Sequence, residues 1–172
     1  MELRAPLSRE KWQQHPFVRY LPPEHLAILN NCAMVVQFEA GQPIFREGDP
    51  ANRFYLILNG AIALQSHRKE GGTTLIATLG EGDVLGWSWL FPPYQWHFDA
   101  IAVESTQAVF FYGTWLRHLA EEHHELGYEL MRRMAEVLIR RLQAARRQML
   151  FGPECTTMSK DDPRLRERRL RD

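Results

Sequence analysis

Phe54-Tyr55-Leu56-Ile57-Leu58-Asn59-Gly60 is a run of aromatic and branched apolar side chains that ends in Asn-Gly. Such a run is short and β-rich, and Asn-Gly between apolar runs is a strong hairpin signal. The same texture extends outward on both sides, in Met34–Phe38, Ala61–Ser66, Thr74–Leu79, Ala100–Val103 and Gln107–Tyr112. Gly41, Gly48, Gly60, Gly71, Gly72, Gly80, Gly82 and Gly86 punctuate these runs. Many short strands with frequent turn signals predict a β-sandwich or a small barrel over residues 34–112.

The flanks read differently. Residues 8–31 predict two short helical pieces, broken at Pro16 and at Pro22-Pro23, with Leu26, Ile28 and Leu29 on the apolar face of the second. After Tyr112 the period becomes helical, with Thr114 as a candidate cap before Trp115, Leu116 and Leu119. Leu130, Met134, Leu138, Leu142, Ala145 and Met149 then recur every three or four residues, and Gly152-Pro153 ends the pattern. The expected division is helices over 1–33, a β-roll over 34–112, helices over 113–150 and a polar, loosely ordered tail over 151–172. The fold class is mainly β with flanking helices: a double-stranded β-helix, jelly-roll-like, plus a long C-terminal helix.

Composition narrows the function classes. Lys plus Arg and Asp plus Glu are 21 each, so the formal net charge is zero, against the basic excess of a dedicated nucleic-acid binder. Cys32 and Cys155 are far apart and belong to no metal-type cluster. No signal-peptide run or membrane-length apolar window is present, so a cytoplasmic protein is expected.

Three segments, in order, carry a family resemblance. These are Phe38-Glu39-Ala40-Gly41-Gln42-Pro43-Ile44-Phe45-Arg46-Glu47-Gly48-Asp49, then Phe54 to Gly60, then Leu79-Gly80-Glu81-Gly82-Asp83-Val84-Leu85-Gly86. Together they resemble the cyclic nucleotide-binding domain of the catabolite activator protein superfamily, over roughly Pro16 to Leu150. The resemblance implies a ligand cassette after Gly86, with a carboxylate for the ribose and, on the next strand, an arginine for the cyclic phosphate. This sequence departs at both places. The cassette is Leu85-Gly86-Trp87-Ser88-Trp89-Leu90, with Trp87 at the carboxylate position. The following strand is Trp96-His97-Phe98-Asp99-Ala100, where the arginine position falls on Phe98 or, with a one-residue gap, on His97.

Lys and Arg are absent between Lys69 and Arg117, an interval that holds five carboxylates. A cyclic phosphate buried without a cation keeps an uncompensated charge in a low-dielectric site, which costs about several kcal/mol. A cation would have to come from Arg53, Arg68 or the long helix. In place of charge stand six aromatic rings: Trp87, Trp89, Phe91, Tyr94, Trp96 and Phe98. They either plug the pocket or form a stacking box for a nucleotide or another planar ligand.

No catalytic constellation or histidine set with metal-ligand spacing is evident, so neither an enzyme nor a metal site is expected, and a haem on His97 is a minor alternative. The arginines of the long helix read as solvated stems beside an apolar seam rather than as a nucleic-acid surface. The seam itself predicts a parallel homodimer, as in the resembling family. Regulators of that superfamily continue into a helix-turn-helix module of roughly 60 to 70 residues. Only 22 residues follow Leu150 here, so no direct DNA binding is expected. The expected function is a non-catalytic regulatory or sensor domain with a departed, cation-poor cassette. The alternative is a ligand-free scaffold with a plugged pocket that docks onto a partner protein.

Overall fold

A computed structural model describes residues 9–152. Two short helices, α1 (Arg9–Gln13) and α2 (Pro23–Asn30), precede eight strands. These are β1 (Met34–Phe38), β2 (Pro43–Phe45), β3 (Arg53–Asn59), β4 (Ile62–His67), β5 (Thr73–Leu79), β6 (Val84–Leu85), β7 (Asp99–Ala102) and β8 (Thr106–Tyr112). A single 3-10 turn, Ser88–Leu90, lies between β6 and β7, and the chain continues into α3 (Gly113–Glu122) and α4 (His124–Phe151). The chain divides into two compact units, one running to Met131 and the other starting at Arg132.

The strands form two four-stranded antiparallel sheets, β1-β8-β3-β6 and β2-β7-β4-β5. Mainly antiparallel sheets with flanking helices and a long C-terminal helix are what the sequence predicts. The Asn59-Gly60 hairpin is not: β3 and β4 lie in different sheets, so this turn is the corner where the chain changes sheet. Gly60 is required there twice over. Its φ is +90°, and a Cβ would lie 2.4 Å from the Thr106 hydroxyl and 2.6 Å from the Thr106 Cα. The fully buried Thr106 hydroxyl in turn accepts from the Ala61 N–H at 3.1 Å and lies 2.9 Å from the Glu104 carbonyl, to which it donates. The true glycine hairpin is β4–β5, closed through Gly71 and Gly72.

Period-two alternation sorts the β3 side chains. Tyr55 and Ile57 face the space between the sheets, where they join Phe38, Phe45, Leu64, Leu85, Trp96, Phe98, Ala100 and Phe110 in one core. Phe54 faces the other way, with its ring centroid 5.1 Å from Phe17, 5.9 Å from Trp89 and 6.4 Å from Phe111. Both faces of β3 are thus covered, which is why the strand reads as a continuous apolar run rather than an alternating one.

One local reading differs from expectation. Thr114 does not cap α3: the helix begins at Gly113, with Tyr112 at the cap and no side-chain cap bond. The predicted stripe of the long helix is buried at its start and exposed toward its end. Leu130 and Met134 are buried, whereas Leu142 is 70 % and Met149 87 % exposed, Ala145 is exposed and Leu138 half-buried. The six side chains share one face of the helix, so their burial changes along its length rather than around it. Cys155 and the predicted polar tail beyond Gly152 lie outside the described residues.

Candidate functional site

Gly86 opens the cassette in a left-handed conformation, φ +90°, and is held there by crowding. A Cβ would sit 2.8 Å from the Trp96 ring and 3.0 Å from the Arg53 carbonyl. Only a residue without a side chain lets the Trp96 indole lie flat against the backbone at this point. Trp96 is 3 % exposed and stacks on Phe45, with ring centroids 3.7 Å apart and planes 7° off parallel. Phe98 lies 6.1 Å from Phe45 and is 8 % exposed.

Phe98 and Ala100 share the inward face of their segment, while His97 and Asp99 face out. Phe98 thus packs into the core, and His97 lies at the surface. Trp87, at the implied carboxylate position, is half-buried against the core and stacks on His97 at 5.4 Å and 24°. Leu85 and Ala100 are fully buried.

The rest of the cassette serves the opposite face. Ser88 and Trp89 are each 2 % exposed, and Trp89 packs beneath α3, where a Cβ on Gly113 would meet it at 2.6 Å. Arg117 donates to the Trp89 carbonyl, and its guanidinium lies 4.4 Å from the Tyr94 ring centroid. Leu90 is half-buried. A void of about 10 Å³ lies on this outer side, bordered by Phe54, Trp89, Phe111 and Leu116, and is large enough for no more than one water. Asp99 accepts from the Glu47 N–H at 2.7 Å and pairs with His67 at 3.0 Å, so it braces the surface.

The eleven predicted site residues therefore do not converge. Leu85, Trp87, Trp96, Phe98 and Ala100 border the space between the sheets, with Gly86 against Trp96. Ser88, Trp89 and Leu90 anchor the turn, and His97 and Asp99 face outward. Sequence reasoning missed Phe45, because its three-residue strand was not recognised, and Tyr55 and Phe110, which read as ordinary strand residues. Among the described residues, no group of three His, Cys, Asp or Glu side chains is placed to hold a metal. No helix there is long and apolar enough to cross a membrane.

The model of the cyclic nucleotide-binding domain family matches residues 35–123, just over half of the chain. The chain belongs to the cyclic nucleotide-binding domain family. Among its relatives, a CRP-like cAMP-activated global transcriptional regulator of Mycobacterium tuberculosis is 28 % identical over 121 residues, covering 70 % of this chain and 52 % of the regulator. A lysophospholipase of Neurospora crassa is 32 % identical over 100 residues, covering 58 % of this chain and 7 % of the lipase. The chain thus spans about half of the one relative and a small fraction of the other. In three dimensions, the Thermus thermophilus catabolite activator protein superposes with a TM-score of 0.64 at 25 % identity, over 78 % of this chain and 61 % of that one. A cyclic nucleotide-binding domain from Methylobacillus flagellatus gives 0.69 at 19 % identity, over 83 % and 78 %, and shows the shared fold.

Proposed function

We propose that this member of the family is a non-catalytic regulatory domain whose cassette has been rebuilt so that it no longer takes a cyclic nucleotide. The observation that carries the reading is the inward Phe98, packed with Phe45 and Trp96 where a phosphate-pairing arginine is implied, together with Trp87 in place of the ribose carboxylate. A cyclic phosphate lodged against Phe98 meets ring faces and edges instead of a guanidinium on that strand, so its lost hydration is not offset there. The density of the Phe45–Trp96–Phe98 packing also favours a second reading, in which the closed roll is an interaction scaffold for a partner protein.

The output element in either reading is α4. Ala135, Leu138, Leu142, Ala145 and Met149 alternate in steps of three and four, the spacing of a coiled-coil seam, and all but the half-buried Leu138 are exposed. This supports a parallel homodimer. Thermal-shift measurement across a nucleotide library tests the cassette reading, since any ligand bound only by the folded state raises its stability. Cyclic AMP and cyclic GMP are expected to leave the midpoint unchanged; a saturable rise with either refutes the rebuilt cassette.

A further inference from the structure

Arg53 opens β3 and, by the same alternation that turns Tyr55 and Ile57 inward, presents its side chain to the space between the sheets. Its guanidinium lies 4.9 Å from the Phe110 ring centroid and 5.7 Å from that of Tyr112. The Nε is fully buried and has no hydrogen-bond acceptor. A buried guanidinium N–H without an acceptor is rare in folded proteins and marks a place where an acceptor belongs. The Arg53 carbonyl is crowded against Gly86, the residue that follows β6, so Arg53 lies beside the opening of the cassette. Tyr112, 43 % exposed, keeps this end of the roll in touch with solvent.

The geometry points to this end of the roll as a binding site for a small planar organic anion, an aromatic carboxylate, paired with Arg53. One guanidinium neutralises one carboxylate, and its fork matches the two carboxylate oxygens through Nε and an Nη. Phe110 and Tyr112, whose rings already lie against the guanidinium, supply aromatic surface for a flat ring. No ribose carboxylate or second cation is needed. The site rests on the rebuilt-cassette reading, because it assigns Arg53 to a carboxylate rather than to a cyclic phosphate.

The test is a titration of the full chain with benzoate, phenylacetate and indole-3-acetate, each beside its neutral amide, followed by tryptophan fluorescence and thermal shift. At least one carboxylate is expected to bind saturably with a Kd of about 1 mM or tighter. Its amide binds at least roughly tenfold more weakly, and Arg53→Gln abolishes the difference while Arg53→Lys keeps only part of it. The comparison of acid with amide on the unaltered protein holds even where Arg53→Gln loses stability. Absence of saturable binding for all three acids, equal binding of acid and amide, or binding unchanged in folded Arg53→Gln overturns the proposal. Cyclic AMP titrated in parallel reports on the rebuilt cassette separately, so failure of one reading is distinguishable from failure of the other.

Discussion

Trp96→Ala tests whether the roll is held shut by its own rings. The indole is 3 % exposed, lies flat on Phe45 at 3.7 Å and is the wall that excludes a side chain from Gly86. Removing a buried large aromatic costs about 3–5 kcal/mol, a figure that covers both lost burial and the cavity left behind. The stacked arrangement contributes about 0.5–1.5 kcal/mol of interaction with Phe45 beyond area burial. The upper half of the range, about 4–5 kcal/mol, is therefore expected. For a chain of this size each kcal/mol moves the thermal midpoint by about 2–4 °C, so the midpoint should fall by roughly 8–20 °C. Chemical denaturation with urea, monitored by far-UV circular dichroism, gives the free energy directly. Phe91→Ala, at a ring 58 % exposed, is the control and should cost less than about 1 kcal/mol. A loss for Trp96→Ala no larger than that of the control refutes the packed interior.

Other consequences follow from single sites. Gly86→Ala combines a left-handed φ with a Cβ 2.8 Å from Trp96 and should destabilise by about 2–4 kcal/mol, whereas Gly48→Ala, at φ +87° with nothing within 4 Å, should cost only about 1–2 kcal/mol; paired urea melts compare them. His15 is buried, with Nδ1 accepting from the Phe17 N–H at 3.1 Å and Nε2 3.1 Å from the Asp83 carbonyl, and burial holds its pKa below the ordinary histidine value. The folded state therefore binds this proton less readily than the unfolded one. The contribution of neutral His15 is complete above about pH 6.5 and is lost as pH falls toward the lowered folded-state value, and His15→Gln should flatten that limb of the stability profile. Leu142→Glu places a charge in the proposed α4 seam and should weaken dimerisation by roughly a hundredfold or more, read by light scattering across a concentration series. Cys32, pushed up to about 12 by burial, should react with a thiol reagent at neutral pH far more slowly than an ordinary exposed cysteine.

Six of the eight strands were legible because each carries at least four β-rich residues between turn signals. Pro43–Phe45 and Val84–Leu85 were not, since three and two residues make no pattern. The Asn59-Gly60 corner shows a different limit. A left-handed glycine between apolar runs looks the same whether the chain turns back beside itself or crosses to a second sheet, and the partners that decide it, β6 and β8, lie far along the sequence. At the cassette, the absence of Lys and Arg was visible in the residues themselves. Which rings face inward was not, because that depends on the phase of β7 and on Phe45, which is remote in sequence. Arg53 was visible as a nearby cation, yet only the alternation of β3 turns it inward.

The most direct measurement is a calorimetric titration of the full chain with cyclic AMP at moderate ionic strength. An interior that sets Phe98 and Trp87 where charged partners are implied predicts no saturable heat, corresponding to a Kd weaker than about 1 mM. A sigmoidal isotherm with a micromolar Kd contradicts it.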